Sequence, residues 1–351
     1  MVTSVAIVGS SGYSGVELAR LVDRCPHLEL TAVYSDRQKG EPIGASIPGL
    51  VRSGSLVARP QAEAARAFEH ASLVALATPA EVSIELAGKL IAGGARVIDL
   101  SGAFRLNDAE TFRRYYGFEH AAWELCAEAR YALPQVGAVS GSRAPRITDT
   151  KLVSNPGCYA TAAILALAPL CEAKLIEPGG IFIDGKSGVS GAGRKVAEKF
   201  MFMEVAENVS AYRVADHQHT PEIEQALSRV AGEAVTVTFA PHLMPIKRGL
   251  ITTAYARATR ETSAAELAAT AARFYADSPR FEGARVVDVG SVDDASVASI
   301  WGTPLARVGF AYDARTRGVV AAGALDNLLK GAASQALENM LAMIGVTEAT
   351  S

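Results

Sequence analysis

Val5-Ala6-Ile7-Val8-Gly9-Ser10-Ser11-Gly12-Tyr13-Ser14-Gly15 is the stretch on which the fold turns. Its first four residues read as a short buried strand, and the glycines that follow fall at the spacing G-x-x-G-x-x-G ahead of a helical run, Ser14–Arg24. Val16, Leu18, Ala19, Leu21 and Val22 can line one face of that helix. Glycines here let the backbone turn tightly and approach a pyrophosphate closely, while the helix start offers unpaired N–H donors to it. Gly9, Ser11, Gly12, Tyr13, Ser14 and Gly15 are therefore candidate dinucleotide contacts; a purely structural turn is the alternative. Leu28–Tyr34, Leu73–Ala77 and Arg96–Leu100 read as further strands separated by helical runs. That order is expected for a parallel sheet wrapped by helices, so the fold class is α/β with a Rossmann-type dinucleotide-binding domain.

Ser35-Asp36-Arg37-Gln38-Lys39 follows the second strand, where NAD and NADP are usually told apart. An acidic residue would hold the ribose hydroxyl of NAD, whereas Ser35, Arg37 and Lys39 could hold a 2′-phosphate. Asp36 can also be a solvated turn residue, and with two cations beside it NADP is the favoured coenzyme.

At 351 residues, 49% hydrophobic and 20% charged, the chain has room for two domains and the texture of a globular enzyme. A formal charge of −3 argues against nucleic-acid and anionic-membrane partners, which need a basic excess. Four cysteines, Cys25, Cys126, Cys158 and Cys171, are scattered without C-x-x-C spacing or a histidine cluster, so neither a disulfide framework nor a metal site is expected. No run approaches about 18 apolar residues, and the first strand is too short for a signal peptide. A cytoplasmic protein is the expectation. Ser142-Arg143-Ala144-Pro145-Arg146 reads as a surface connection at a domain boundary. Beyond it, Gly180–Asp184, Ala234–Ala240 and Gly249–Ala256 read as strands of an α+β domain. Leu329, Ala333, Ala336, Leu337, Met340 and Ile344 form one stripe of a last helix able to return to the first domain. The expected division is 1–152 plus 326–351 for the dinucleotide and 153–325 for catalysis and oligomerisation.

Val153-Ser154-Asn155-Pro156-Gly157-Cys158-Tyr159-Ala160-Thr161 places one thiol after Pro-Gly and before the helical run Ala162–Leu170. At a helix N-terminus the dipole and unpaired N–H groups favour an anion, which lowers a thiol's pKa and makes it a nucleophile. A small core hydrophobe is the competing reading. Asp216-His217-Gln218-His219-Thr220-Pro221-Glu222 holds two of the six histidines just before a Thr-Pro helix start. In extended chain, a spacing of two sends the rings to opposite sides, which suggests different tasks: one a general acid/base, the other paired with Glu222. Incidental surface histidines are the alternative. Lys186-Ser187-Gly188-Val189-Ser190-Gly191-Ala192-Gly193-Arg194-Lys195 is a second glycine-rich loop, here basic, able to cradle an oxyanion or phosphate; a solvated surface hairpin is its plain reading. Arg105 and Lys247-Arg248-Gly249 are further basic candidates.

Taken together, the Val153–Thr161 and Ser187–Arg194 segments, His217-Gln218-His219-Thr220-Pro221-Glu222-Ile223 and Asp326-Asn327-Leu328-Leu329-Lys330-Gly331 resemble the N-acetyl-gamma-glutamyl-phosphate reductases, in order and over nearly the whole chain. The resemblance implies an NADPH-dependent enzyme of arginine biosynthesis, related in fold to aspartate-semialdehyde dehydrogenase and homo-oligomeric, a dimer or tetramer, with a small-molecule acyl phosphate as substrate. It implies Cys158 as nucleophile, His219 as acid/base, and Glu222 orienting His217. It further implies Ser187, Gly188 and Asn327 near the cofactor, and Asn155, Arg105, Ser190, Gly191, Arg194 and Lys195 near the substrate. Two segments depart from the family pattern: Tyr131-Ala132-Leu133-Pro134-Gln135 stands where Tyr-Gly-Leu-Pro-Glu is common, and Thr78-Pro79-Ala80-Glu81 where a Pro-His-Gly turn is frequent. Aspartate-semialdehyde dehydrogenase, a carrier-linked aminoadipyl-phosphate reductase and a non-enzymatic NADP sensor are the rival readings.

Overall fold

In the computed structural model, residues 2–137, 146–194 and 196–346 are described. Most of the Ser142–Arg146 connection and Lys195 lie outside them. Strand β1 (Thr3–Val8) runs into the glycine loop, and the first helix follows at Tyr13–Arg24. Two glycines are required by geometry: Gly9 has φ +88° and a Cβ there would meet Ala77 O at 2.4 Å, while a Cβ on Gly15 would meet Gly9 O at 2.3 Å. With β2 (Leu28–Tyr34), β3 (Leu73–Leu76), β4 (Arg96–Asp99), β5 (Arg130–Tyr131) and β6 (Leu152–Ser154), this strand forms a six-stranded sheet in the order β2-β1-β3-β4-β6-β5. Every pairing is parallel. The fully apolar β3 and the core positions of β1 are buried on both faces, as a doubly covered parallel sheet demands. Strand order reverses beside β1, so the sheet's C-terminal edge opens a crevice there.

The second sheet is mixed and seven-stranded. It is built from β7 (Ile181–Gly188), β8 (Ser210–Ala211), β9 (Val237–Met244) and β10 (Leu250–Arg257), together with three strands that follow a small hairpin, β11 (Arg280–Phe281) and β12 (Ala284–Arg285). Those three are β13 (Val287–Ser291), β14 (Ala306–Asp313) and β15 (Gly318–Leu325), and the order is β13-β14-β15-β10-β7-β9-β8. The helix Cys158–Glu172 lies on one face of this sheet and is buried from Tyr159 to Cys171. A helix that is apolar all round must be enclosed, and this one shares its core with the helix His219–Ala231 and the inward residues of β7, β9, β10 and β15. The last helix, Ser334–Met343, packs in the other direction: Ala336, Leu337 and Met340 share an apolar core with Val5, Ile7, Leu18 and Ala19. Among the described residues no helix is long and apolar enough to cross a membrane.

Candidate active site

Two helix starts meet at the crevice. Cys158 is the first residue of its helix, with Gly157 as an N-cap that makes no side-chain cap bond and no acidic residue in the first turn. His219 is the first residue of the other. Contact between them is tight, since a Cβ on Gly157 would fall 2.1 Å from His219 Nε2 and 2.6 Å from Arg105 Nη1. Only glycine lets the imidazole and guanidinium reach the backbone beside the thiol.

Glu222, one turn into the His219 helix and fully buried, joins these pieces. Its Oε1 accepts the Gly157 N–H at 2.8 Å and the Tyr131 hydroxyl at 2.9 Å. Its Oε2 lies 3.4 Å from Arg105 Nη1 and 3.9 Å from His219 Nε2. Glu222 therefore orients the segment before the thiol, and Arg105 and His219, rather than His217 as the resemblance implied. Arg105 is held further by Asn155 O at 2.9 Å and Leu100 O at 3.0 Å, and its Nη1 is 3.4 Å from His219 Nε2. Burial disfavours its charge, but Glu222, Tyr116, Tyr131 and Asp99 outweigh that and hold its pKa above the usual guanidinium value.

The two imidazoles do not point to opposite sides. Their centroids are 4.7 Å apart, because Gln218 between them has helical backbone (φ −59°, ψ −18°) instead of extended. His217 Nδ1 accepts the His219 N–H at 3.2 Å, and its ring sits edge-on to Tyr159, Tyr212 and Phe239. Burial, His219 and Arg213 push the His217 pKa down to about 2; burial, then Arg105 and Arg213, push His219 well below its ordinary value. Both rings are neutral at pH 7. A depressed histidine pKa makes the unfolded chain the better proton acceptor, so this stability is present above about pH 6.5 and is lost on acidification, at roughly 1.4 kcal/mol per pH unit per histidine. Chemical denaturation from pH 7 to pH 5 should show this loss, with a shallower slope in His217→Asn.

The thiol departs from expectation in the same way. Burial pushes Cys158 up to about 11, against the opposing pull of Arg105 and the N–H groups of Tyr159 and Cys158. The helix start does favour a thiolate, but desolvation is the larger effect. Without substrate the pair is a neutral thiol beside a neutral imidazole. Iodoacetamide should therefore modify Cys158 about a hundredfold more slowly at pH 7 than an ordinary cysteine, with a rate rising about tenfold per pH unit towards pH 11. A fast, pH-independent reaction around neutrality would contradict this.

A cavity of about 550 Å³ collects residues from both halves of the chain: Gly12, Tyr13 and Ser14 from the glycine loop; Arg105; Cys158; Ser187, Ser190, Gly191 and Arg194; His217 and His219; and Asn327. Gly9, Ser11, Gly15, Ser35 and Gly188 are not among its lining residues. Ser35, buried, donates to Ser11 Oγ at 2.8 Å, which shapes the loop from beneath. Asn155 is likewise turned away: its Nδ2 donates to Ala332 O at 3.1 Å and its Oδ1 accepts from Asn339 Nδ2 at 3.0 Å. Asn327 ties the second loop down through Gly249 N–H at 2.6 Å and Ser190 Oγ at 3.1 Å. Gln135, the first departure, is spent on Lys330 and Glu338 away from the cavity, whereas Thr78 and Pro79 of the second departure line it.

Arg37 belongs to an adjoining cavity of about 590 Å³ with Arg20, Arg194, Lys247 and Arg248. Arg194 lines both and lies over the Tyr13 ring at 4.8 Å. Asp36 caps a backbone instead, accepting the Gln61 N–H at 2.9 Å. Tyr212, Gln218 and Leu328 also line the cavity, although no motif marks them as site residues. Tyr131 meets the site at Glu222, through its hydroxyl, and Tyr212 belongs to no motif.

A dinucleotide fits these residues. The first helix starts at the cavity without a side-chain cap or an acidic residue in its first turn, which leaves its N–H donors for a pyrophosphate. Comparison with known proteins agrees. Residues 4–142 match the family model described as semialdehyde dehydrogenase, NAD binding domain, and residues 158–327 that described as semialdehyde dehydrogenase, dimerisation domain. The chain is 41% identical to an N-acetyl-gamma-glutamyl-phosphate reductase of Geobacter metallireducens, covering 98% of this chain and 96% of that protein. It is 40% identical to one of Pelotomaculum thermopropionicum, covering 100% and 97%. Among solved structures, aspartate semialdehyde dehydrogenase II from Vibrio cholerae superposes with a TM-score of 0.73 at 16% identity, over 98% of this chain and 99% of that one. Aspartate semialdehyde dehydrogenase with NADP from Candida albicans gives 0.71 at 13%, over 99% of each. At such identities the structural likeness is one of fold.

Proposed function

The chain belongs to the N-acetyl-gamma-glutamyl-phosphate reductase family of semialdehyde dehydrogenases, and from that premise we propose that it reduces N-acetyl-gamma-glutamyl phosphate to N-acetylglutamate 5-semialdehyde and phosphate with NADPH, through a thioester on Cys158. One observation carries this reading: Cys158, His219 and the start of the glycine-loop helix line the same cavity.

An acyl phosphate is a poor hydride acceptor beside its own charged leaving group, and a thioester divides the task into two easier steps. As the Cys158 sulfur bonds to the acyl carbon, the thiol proton passes to His219, which an incoming anion makes a better base. The carbon–oxygen bond to phosphate breaks, with Arg105 and Arg194 positioned to offset the departing charge. Gly12, Tyr13, Ser14 and the Ser187–Arg194 loop would hold a nicotinamide dinucleotide, which when bound in its reduced form would supply the hydride. His219 returns its proton to the acyl oxygen of the thiohemiacetal. When the carbon–sulfur bond breaks, the same proton travels back by way of His219 to the sulfur, and the neutral pair is restored.

NADP rather than NAD is supported by Arg37 lying in a cavity with four other cations while the Asp36 carboxylate is occupied by a backbone N–H. Arg37→Ala should raise the KM for NADP about tenfold and leave that for NAD unchanged. A homo-oligomer is supported by the likeness of residues 158–327 to a dimerisation domain, and by Phe182 and Tyr255, register neighbours on β7 and β10 that are 58% and 47% exposed. The deciding assay is phosphate-dependent oxidation of N-acetylglutamate 5-semialdehyde with NADP and with NAD, beside aspartate semialdehyde. The reading requires the N-acetylated substrate with NADP to give the largest kcat/KM.

A further inference from the structure

Behind the nucleophile lies a charged cluster that the mechanism does not use. Lys330 is 0% exposed, and its Nζ donates to Gln135 Oε1 at 2.6 Å and to Glu338 Oε1 and Oε2 at 2.9 and 3.0 Å. Gln135 Nε2 donates to Glu338 Oε2 at 2.6 Å, which closes the triangle. None of the three lines the cavity that holds Cys158. A buried ammonium is costly unless fully paired, and an apolar side chain would fill the space at less cost. What the cluster adds is direction, because its donors and acceptors each admit one arrangement.

The neighbouring residue shows what is being directed. Leu329–Ala333 is a turn of π-helix, a wide and uncommon conformation that is frequent at functional sites. Within it Gly331 reaches the cavity, and a Cβ there would fall 2.7 Å from Cys158 Cβ. Ala332 O is bonded to Asn155, three residues before the thiol, and Gln335 Nε2 lies 3.3 Å from Thr161 Oγ1, three residues after it. The turn is thus fastened to the nucleophile segment on one side and to the Lys330 cluster on the other. We propose that Lys330, with Glu338 and Gln135, is a positioning residue for the nucleophile, holding the 329–333 turn so that Gly331 backs Cys158 and sets the direction in which the sulfur enters the cavity. This rests on Cys158 being the nucleophile. It also accounts for Gln135: its carbonyl accepts from Lys330 while its amide donates to Glu338, a combination that a second carboxylate could not offer.

The test uses the full chain and two variants. Lys330→Met with Glu338→Gln removes both charges at similar volume; Gln135→Leu leaves the ion pair and removes the third member. The expected result is a kcat lowered about ten- to a hundredfold in the first and severalfold in the second, with the KM for semialdehyde and the Kd for NADP within about twofold. The rate of Cys158 alkylation by iodoacetamide at pH 9, without substrate, should shift at least about threefold in both. Wild-type kcat and alkylation rates in the folded variants would overturn the proposal, and if the double variant does not fold, Gln135→Leu decides alone. Alkylation needs no substrate, so a chain inactive on N-acetylglutamate 5-semialdehyde that still shows the shift would refute the proposed activity and leave the placement standing.

Discussion

Cys158→Ser should lower phosphate-dependent oxidation of N-acetylglutamate 5-semialdehyde by roughly 10⁴-fold or more while leaving NADP affinity within about twofold. The substitution changes little in packing: the residue is half-buried at the cavity, and Gly331 keeps open the space beside its Cβ. The chemistry changes greatly. A thiol pushed up to about 11 is still within reach of a neighbouring imidazole once an anionic substrate has raised that imidazole's proton affinity. A serine hydroxyl is several pKa units less acidic, and an ester in place of the thioester accepts hydride poorly. The proposed coenzyme-binding residues Gly12, Tyr13 and Ser14 belong to another element, so NADP affinity should survive. Turnover within tenfold of wild type would remove Cys158 from the mechanism.

His219→Asn comes next, with an expected loss of about 10²- to 10³-fold in kcat, the usual contribution of a positioned acid/base. Arg105, Glu222 and the Gly157 backbone surround His219 Nε2 within a few ångströms. His217 by contrast accepts the His219 backbone N–H and stands in a ring of aromatic edges. His217→Asn should therefore cost less in kcat than His219→Asn, because it disturbs the placement of the acid/base without removing it. The reverse ranking would exchange the two roles.

What could be read from sequence alone was local. The strand, glycine loop and helix from Thr3 to Arg24 follow from spacing within about twenty residues, and the parallel sheet follows from their repetition. Cys158 at a helix start was legible for the same reason. Its pKa was not, because burial is set by elements far along the chain, and here burial outweighs the helix dipole. The histidine rings were misplaced by assuming extended backbone at Gln218. Glu222 stands near His217 in sequence, yet its hydrogen bonds go to the Gly157 N–H, Tyr131 and Arg105, with His219 at 3.9 Å. Asn155 shows the same limit: a polar residue three positions from the nucleophile is spent on the last helix and the turn before it. A motif identifies which residues gather at a site, and long-range packing decides which of them face it.

The proposed reaction passes through a covalent acyl group carried by the Cys158 sulfur. Rapid acid quench of the protein mixed with NADP and excess N-acetylglutamate 5-semialdehyde in the absence of phosphate, followed by peptide mass analysis, tests it directly. The peptide containing Cys158 should carry an N-acetylglutamyl group, released by added phosphate at a rate no slower than turnover. Full turnover with Cys158 unmodified at every time point, or the acyl group on another residue, would contradict the account.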